Sequence, residues 1–128
     1  MSLLAFGIVS LSYDAFAEEV MIPCPNQAEF IWVHKGGRGW IGTYSNAALP
    51  WSKLHALTNG GSKPNITPLS AGIKRGVFEC EYYGPGIISY HPHTSLNLTK
   101  LHYHNCIVDT TTLVAWCDKI GPGTKSKL

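Results

Sequence analysis

Strand signals dominate the pattern of apolar and polar positions along this chain. Glu29 to Val33 (EFIWV) and Trp40 to Tyr44 (WIGTY) are rich in β-branched and aromatic residues and flank Lys35-Gly36-Gly37-Arg38. A two-residue turn at Gly36-Gly37, where glycine accepts φ > 0, predicts a hairpin with Val33 opposite Trp40 and Ile31 opposite Gly42. Phe30, Trp32 and Ile41 then cover the other face. A hairpin apolar on both sides is better accommodated by a layered sandwich or a barrel than by a solvated single sheet.

The alternating stretch Val77 to Tyr83 (VFECEYY) is halted by Gly84-Pro85-Gly86, and Ile87 to Tyr90 resumes the strand chemistry. With those three residues as the loop, Tyr83 faces Ile87, Cys80 faces Tyr90 and Glu79 faces His91. Leu101 to Val108 and Leu113 to Cys117 flank Asp109-Thr110-Thr111-Thr112, and a loop over Thr110 to Leu113 or at Thr111-Thr112 sets Cys106 opposite Cys117. The middle, Asn46 to Gly72, is less regular. Pro50 followed by Trp51, Leu54 and Leu57 at three-residue spacing predicts one or two helical turns, and Asn59 to Asn65 is turn chemistry throughout. The expected fold is all-β: a small antiparallel sandwich or partly open barrel of about six to eight strands.

Composition narrows the compartment. The chain has 128 residues, 14% charged, with 13 Gly, 8 Pro and 4 Cys. That profile suits one compact domain and excludes both a disordered chain and a coiled coil. The apolar run Leu3 to Leu11 is too short for a bilayer, which takes about 20 residues, but suits a signal-peptide core. Ala15-Phe16-Ala17 provides a cleavage site, although no Lys or Arg precedes the run; a buried N-terminal strand or helix is the competing reading. We expect a leader over residues 1–17, a single domain over 18–128, a frayed tail over 121–128, and a secreted or periplasmic product.

All four cysteines, Cys24, Cys80, Cys106 and Cys117, lie in the expected mature part. An even count in a small exported chain reads as two disulfides. No Cys-x-x-Cys pair occurs, so the spacing of a zinc ribbon is missing. If 77–83, 87–93 and 101–108 form a meander, Cys80 and Cys106 lie two strands or about 9.6 Å apart, beyond the reach of a disulfide. Cys24–Cys80 with Cys106–Cys117 is the preferred pairing, and Cys24–Cys106 with Cys80–Cys117 the second.

Histidine supplies the most specific candidate chemistry. His91 and His93 form one His-x-His pair, His102 and His104 another. Residues i and i+2 of a strand share a face, so neighbouring strands would converge up to four imidazole nitrogens suited to zinc or copper, with Glu79 as a further ligand or orienting carboxylate. The plainer reading is a solvent-facing half of two alternating strands, and a pH-responsive surface is a third. Among the aromatics, Trp32 and Trp116 lie inside apolar strands and read as core, whereas Trp40, Tyr44 and Trp51 lie near Gly- or Pro-rich turns and are the candidate binding residues. Glu79 with Glu81 could run glycoside hydrolysis, and Asp109, His102 or His104 and Ser89 can be written as a triad, but no nucleophile elbow marks them. No catalytic residue is assigned. A net charge of +2 without a Lys/Arg cluster gives little support to nucleic-acid binding.

The signal-like start, Cys24-Pro25, Cys80-x-Tyr82 and Trp116-Cys117 together give a layout that resembles small exported bacterial proteins of uncharacterised function. The resemblance implies a β-rich binding or inhibitor module and transfers no site residue. The leading expectation is an exported, two-disulfide module that binds a protein or glycan through an aromatic-bearing surface, with no cofactor, no nucleic acid and no membrane association once the leader is removed. An exported zinc- or copper-binding protein is the alternative, and a hydrolase comes third.

Overall fold

A computed structural model describes residues 17–37, 39–88 and 91–120. The expected leader, apart from its last residue Ala17, lies outside the described residues, as do Ser89, Tyr90 and the tail over 121–128.

Among the described residues, nine strands form three small antiparallel sheets that do not close into a barrel. They are β1 (Ala17–Pro23), β2 (Phe30–His34), β3 (Gly39–Tyr44), β4 (Leu54–Leu57), β5 (Thr67–Lys74), β6 (Val77–Tyr83), β7 (His93–Asn97), β8 (Tyr103–Asp109) and β9 (Val114–Ile120). The strand orders are β1-β9-β8, β2-β3-β4 and β5-β6-β7. All-β architecture is thus as expected, with more strands.

Alternation explains how each sheet finds its inner face. Phe78, Cys80 and Tyr82 of β6 point inward, as do Thr94 and Leu96 of β7 and Leu54 and Ala56 of β4. Aromatic rings join two of these inner faces: Phe30 packs edge-on to Tyr82 at 6.2 Å, Tyr44 meets Trp51 at 6.4 Å, and Trp51 meets Phe78 at 5.4 Å. Trp51 is only 6% exposed. Its place in the core corrects the expectation of a surface Trp51, while Trp116, expected in the core, is 42% exposed.

The β2–β3 hairpin differs by one residue from the expected register. Lys35 N–H donates to Gly39 O at 2.9 Å, leaving three residues rather than two in the loop, with Gly36 and Gly37 at φ 83° and 53°. His34 therefore faces Trp40 and Trp32 faces Gly42. Ile41 shares a face with Val33 instead of Trp32. Gly42 carries no side chain for a reason: a Cβ there would stand 2.9 Å from the Trp32 ring that lies over it.

The helical turns expected after Pro50 are strand β4. Three-residue spacing of Trp51, Leu54 and Leu57 suggested a helix, yet Leu57 faces outward and Ala56 takes the inner position. Among the described residues the expected hairpin of 77–83 with 87–93 is not formed either. β6 pairs instead with β7, placing Glu79 opposite Ser95 and Glu81 opposite His93. Residues 84–88 turn away to the end of β4, where Gly86 O accepts from Asn59 N–H at 2.7 Å and Ile88 N–H donates to Leu57 O at 3.0 Å. Gly84 can pass this close because it lacks a Cβ, which would fall 2.1 Å from the Asn65 carbonyl oxygen.

Both disulfides take the preferred pairing. Cys106–Cys117 lies within one sheet, beside a bulge at which Asn105 adopts φ 54°. Beyond the bulge the expected four-residue loop holds, with Asp109 opposite Val114. Cys24–Cys80 joins the end of β1 to β6, with 5.8 Å between Cα atoms. The meander that first argued against Cys80–Cys106 does not exist, since 101–108 belongs to another sheet. The preferred pairing forms without that meander.

Next to Cys24, Pro25 O accepts a 2.6 Å hydrogen bond from the fully buried Tyr82 hydroxyl. Burial, followed by the Glu29 charge and Tyr44, raises the Tyr82 pKa far above the ordinary phenol value. A raised folded-state pKa makes this stabilisation complete below the unfolded pKa of about 10 and progressively lost as pH climbs above it. Tyr82→Phe should cost about 1–2 kcal/mol at neutral pH, because the Pro25 carbonyl keeps its burial and loses its donor. Thermal melts across pH 8–11 check this: the wild type should lose stability above about pH 10 more steeply than Tyr82→Phe, and parallel profiles would refute the assignment.

Candidate functional site

Two open grooves adjoin on the outside of the molecule and share Glu79, His93 and Ser95. One, of about 740 Å³, runs over the outer face of β5-β6-β7 past Ser70 and Lys74. The second, of about 670 Å³, lies between that sheet and β3–β4 and is walled by Trp40, Ile41, Lys53, His55 and Leu57.

Strand alternation makes the first face polar. With Phe78, Cys80 and Tyr82 turned inward, Glu79 and Glu81 must turn outward, and the register sets Ser70 of β5 and His93 of β7 on either side of Glu81. Glu81 Oε1 accepts from Ser70 Oγ at 2.9 Å, while its Oε2 lies 3.3 Å from His91 Nδ1. Glu79 Oε2 lies 3.8 Å from His93 Nε2. These exposed pairs are screened by water and contribute little to stability. They do hold both imidazoles beside carboxylates, on the groove side of the sheet.

Ser52 fixes the second wall. Its N–H donates to Ser95 O at 2.8 Å, its Oγ accepts from Ser95 N–H at 2.9 Å, and its carbonyl accepts from the Thr94 hydroxyl. Those bonds clasp the lead-in to β4 against β7, so Lys53 and His55 border the groove opposite Glu79 and His93. Trp40 is held from behind: its ring packs on His34 at 4.8 Å and its Nε1–H donates to Gly61 O at 3.2 Å. An indole held by a ring contact and a hydrogen bond loses little further rotamer entropy when a ligand binds.

Only part of the expected site comes together here. Trp40 lines the groove, whereas Tyr44 is half-buried with its hydroxyl 3.5 Å from Glu29 Oε2, and Trp51 is in the core. Burial first, then Glu29, raises the Tyr44 pKa. Among the histidines, His91 and His93 flank the groove carboxylates, but His104 is on β8 of another sheet and His102 sits in the preceding turn at φ 63°. Glu79, expected opposite His91, stands by His93. Among the described residues no three His, Cys, Asp or Glu side chains are gathered as a metal-binding group. Asp109 caps its own turn by accepting from Thr111 and Thr112 N–H, which lowers its pKa.

No protein family, curated protein or solved structure matches this chain. The groove therefore has to be read on its own chemistry. Lys53, His55 and Ser95 were missed from the sequence, where Glu81 was singled out only as the partner of Glu79 in a carboxylate pair; His55 was recoverable from the alternation Leu54-His55-Ala56-Leu57, Lys53 and Ser95 only from strand pairing.

Proposed function

We propose that the chain is an exported binding module that takes a glycan in the groove between β3–β4 and β6–β7. The observation that supports this most is a groove that Trp40, its indole held by His34 and Gly61, lines together with a mixed set of donors and acceptors, Lys53, His55, Glu79, His93 and Ser95. A sugar has the matching two-sided chemistry: C–H groups that pack on an aromatic face, and hydroxyls that both donate and accept. Two disulfides support an oxidising compartment. No helix among the described residues is long and apolar enough to cross a membrane.

Screening the purified chain on a glycan array, followed by calorimetry with the best-retained oligosaccharide, tests the proposal. Trp40→Ala should weaken binding by about thirtyfold, the scale of a hot-spot truncation. His55→Ala, which removes an exposed side chain, should weaken it several-fold with an unchanged melting temperature. Failure to retain any glycan, or unaltered affinity in both variants, would overturn the proposal.

A further inference from the structure

The sheet β1-β9-β8, whose strands line neither groove, carries a second surface. Its register lines up Met21, Trp116 and Ile107 across all three strands, and they are 53%, 42% and 71% exposed. One row along, Glu19 faces Asp118, which faces His104 and accepts from Asn105 Nδ2 at 3.2 Å. Three large apolar side chains in a row, rimmed by carboxylates, are the composition of a protein contact rather than of a solvated sheet.

Charge is segregated here. The three strands hold Glu18, Glu19, Asp109 and Asp118 but only Lys119, whose ammonium lies over the Tyr103 ring at 5.4 Å, although the chain as a whole is at +2. An occupant of this surface therefore needs basic groups beside its apolar ones.

The edge of the sheet says how such an occupant can attach. Among the described residues β1 bonds to β9 along one side and to no strand along the other. β8, the opposite edge, is interrupted by the bulge at Asn105–Cys106. The regular open ladder is thus that of β1. Its two glutamates disfavour pairing with an identical strand from a second copy, since charged edge residues are a common guard against such pairing. A basic strand meets no such barrier, and opposite charges directly across a strand pair attract.

We propose that β1 accepts an extended segment of a partner protein by strand addition, with a basic residue beside Glu19 and an aliphatic residue two positions away beside Met21. Main-chain hydrogen bonds to the β1 edge supply attachment and the alternate side chains supply selectivity. The aliphatic residue lengthens the row Met21–Trp116–Ile107 by one place.

The probe is a fluorescein-labelled nine-residue peptide with threonine at alternate positions and lysine and leucine by turns at the others. Two controls carry glutamate in place of lysine, or N-methyl groups on alternate amides. Fluorescence anisotropy with the full chain should show saturable binding of the first peptide, weakened by about tenfold or more for either control. Met21→Lys should weaken it similarly, and Glu19→Lys should reverse the preference between lysine and glutamate peptides, with melting temperatures retained. Amide exchange should slow over 18–22 on binding. The proposal is overturned if no peptide saturates, if the N-methylated peptide binds as well, or if the chain self-associates reversibly through a contact that Met21→Lys removes, which would make a second copy the occupant.

Discussion

Cys24→Ala/Cys80→Ala protein should be about 4 kcal/mol less stable than the wild type, and Cys106→Ala/Cys117→Ala protein about 3 kcal/mol less stable. The two bonds differ in the chain they close, with sequence separations of 56 and 11. In the loop-entropy account a longer closed loop removes more freedom from the unfolded ensemble, and the logarithm makes the difference modest. Position adds to the first cost. Cys24–Cys80 ties β1 to β6 across two sheets, and Cys80 is fully buried, so alanine there also leaves unfilled volume. Cys106–Cys117 only reinforces strands already paired in a hairpin. Guanidinium unfolding of both variants at neutral pH decides the matter; equal losses, or the larger loss at Cys106–Cys117, would contradict this ranking.

Phe78→Ala should cost about 3–5 kcal/mol, the range for deleting a buried aromatic ring. Phe78 is fully buried on the middle strand of its sheet and meets the Trp51 ring, so its loss removes an aromatic partner as well as opening a cavity. Ile107→Ala is the control: at 71% exposure its change should stay within about 0.5 kcal/mol. Urea unfolding followed by tryptophan fluorescence reads stability and the Trp51 environment together. A Phe78→Ala loss no larger than that of Ile107→Ala would mean that the inner faces are not packed as described.

Fold class and the number of disulfides were legible in the sequence because both depend on local signals, namely alternation, turn residues and cysteine parity. Pairing over longer range was not. Nothing in Gly36-Gly37 distinguishes a two- from a three-residue loop, yet that single residue moved Ile41 off the face of Trp32. β4 was hidden because Trp51, Leu54 and Leu57 imitate helical spacing, and β5 (TPLSAGIK) because it lacks a run of large apolar residues. The Gly84-Pro85-Gly86 turn was visible, but its destination depended on Asn65 and Leu57, residues far away in the chain. For the groove, Trp40 could be singled out from its place beside a glycine turn. Its polar wall could not, because the Ser52 clasp is what brings Lys53 and His55 to the same groove as Glu79.

One consequence of the pairing of β1 with β9 concerns the order of folding events. Ala17 lies opposite Ile120, so the first described strand waits for the last before its sheet can exist. Cys24 and Cys80 are both available before β8 and β9 have been synthesised, so the bond between sheets can precede completion of the sheet it anchors. Topologies dominated by such distant pairings fold over milliseconds to seconds rather than microseconds. Until β9 arrives β1 has no ladder partner, and an early Cys24–Cys80 link would tether it to β6 over that interval.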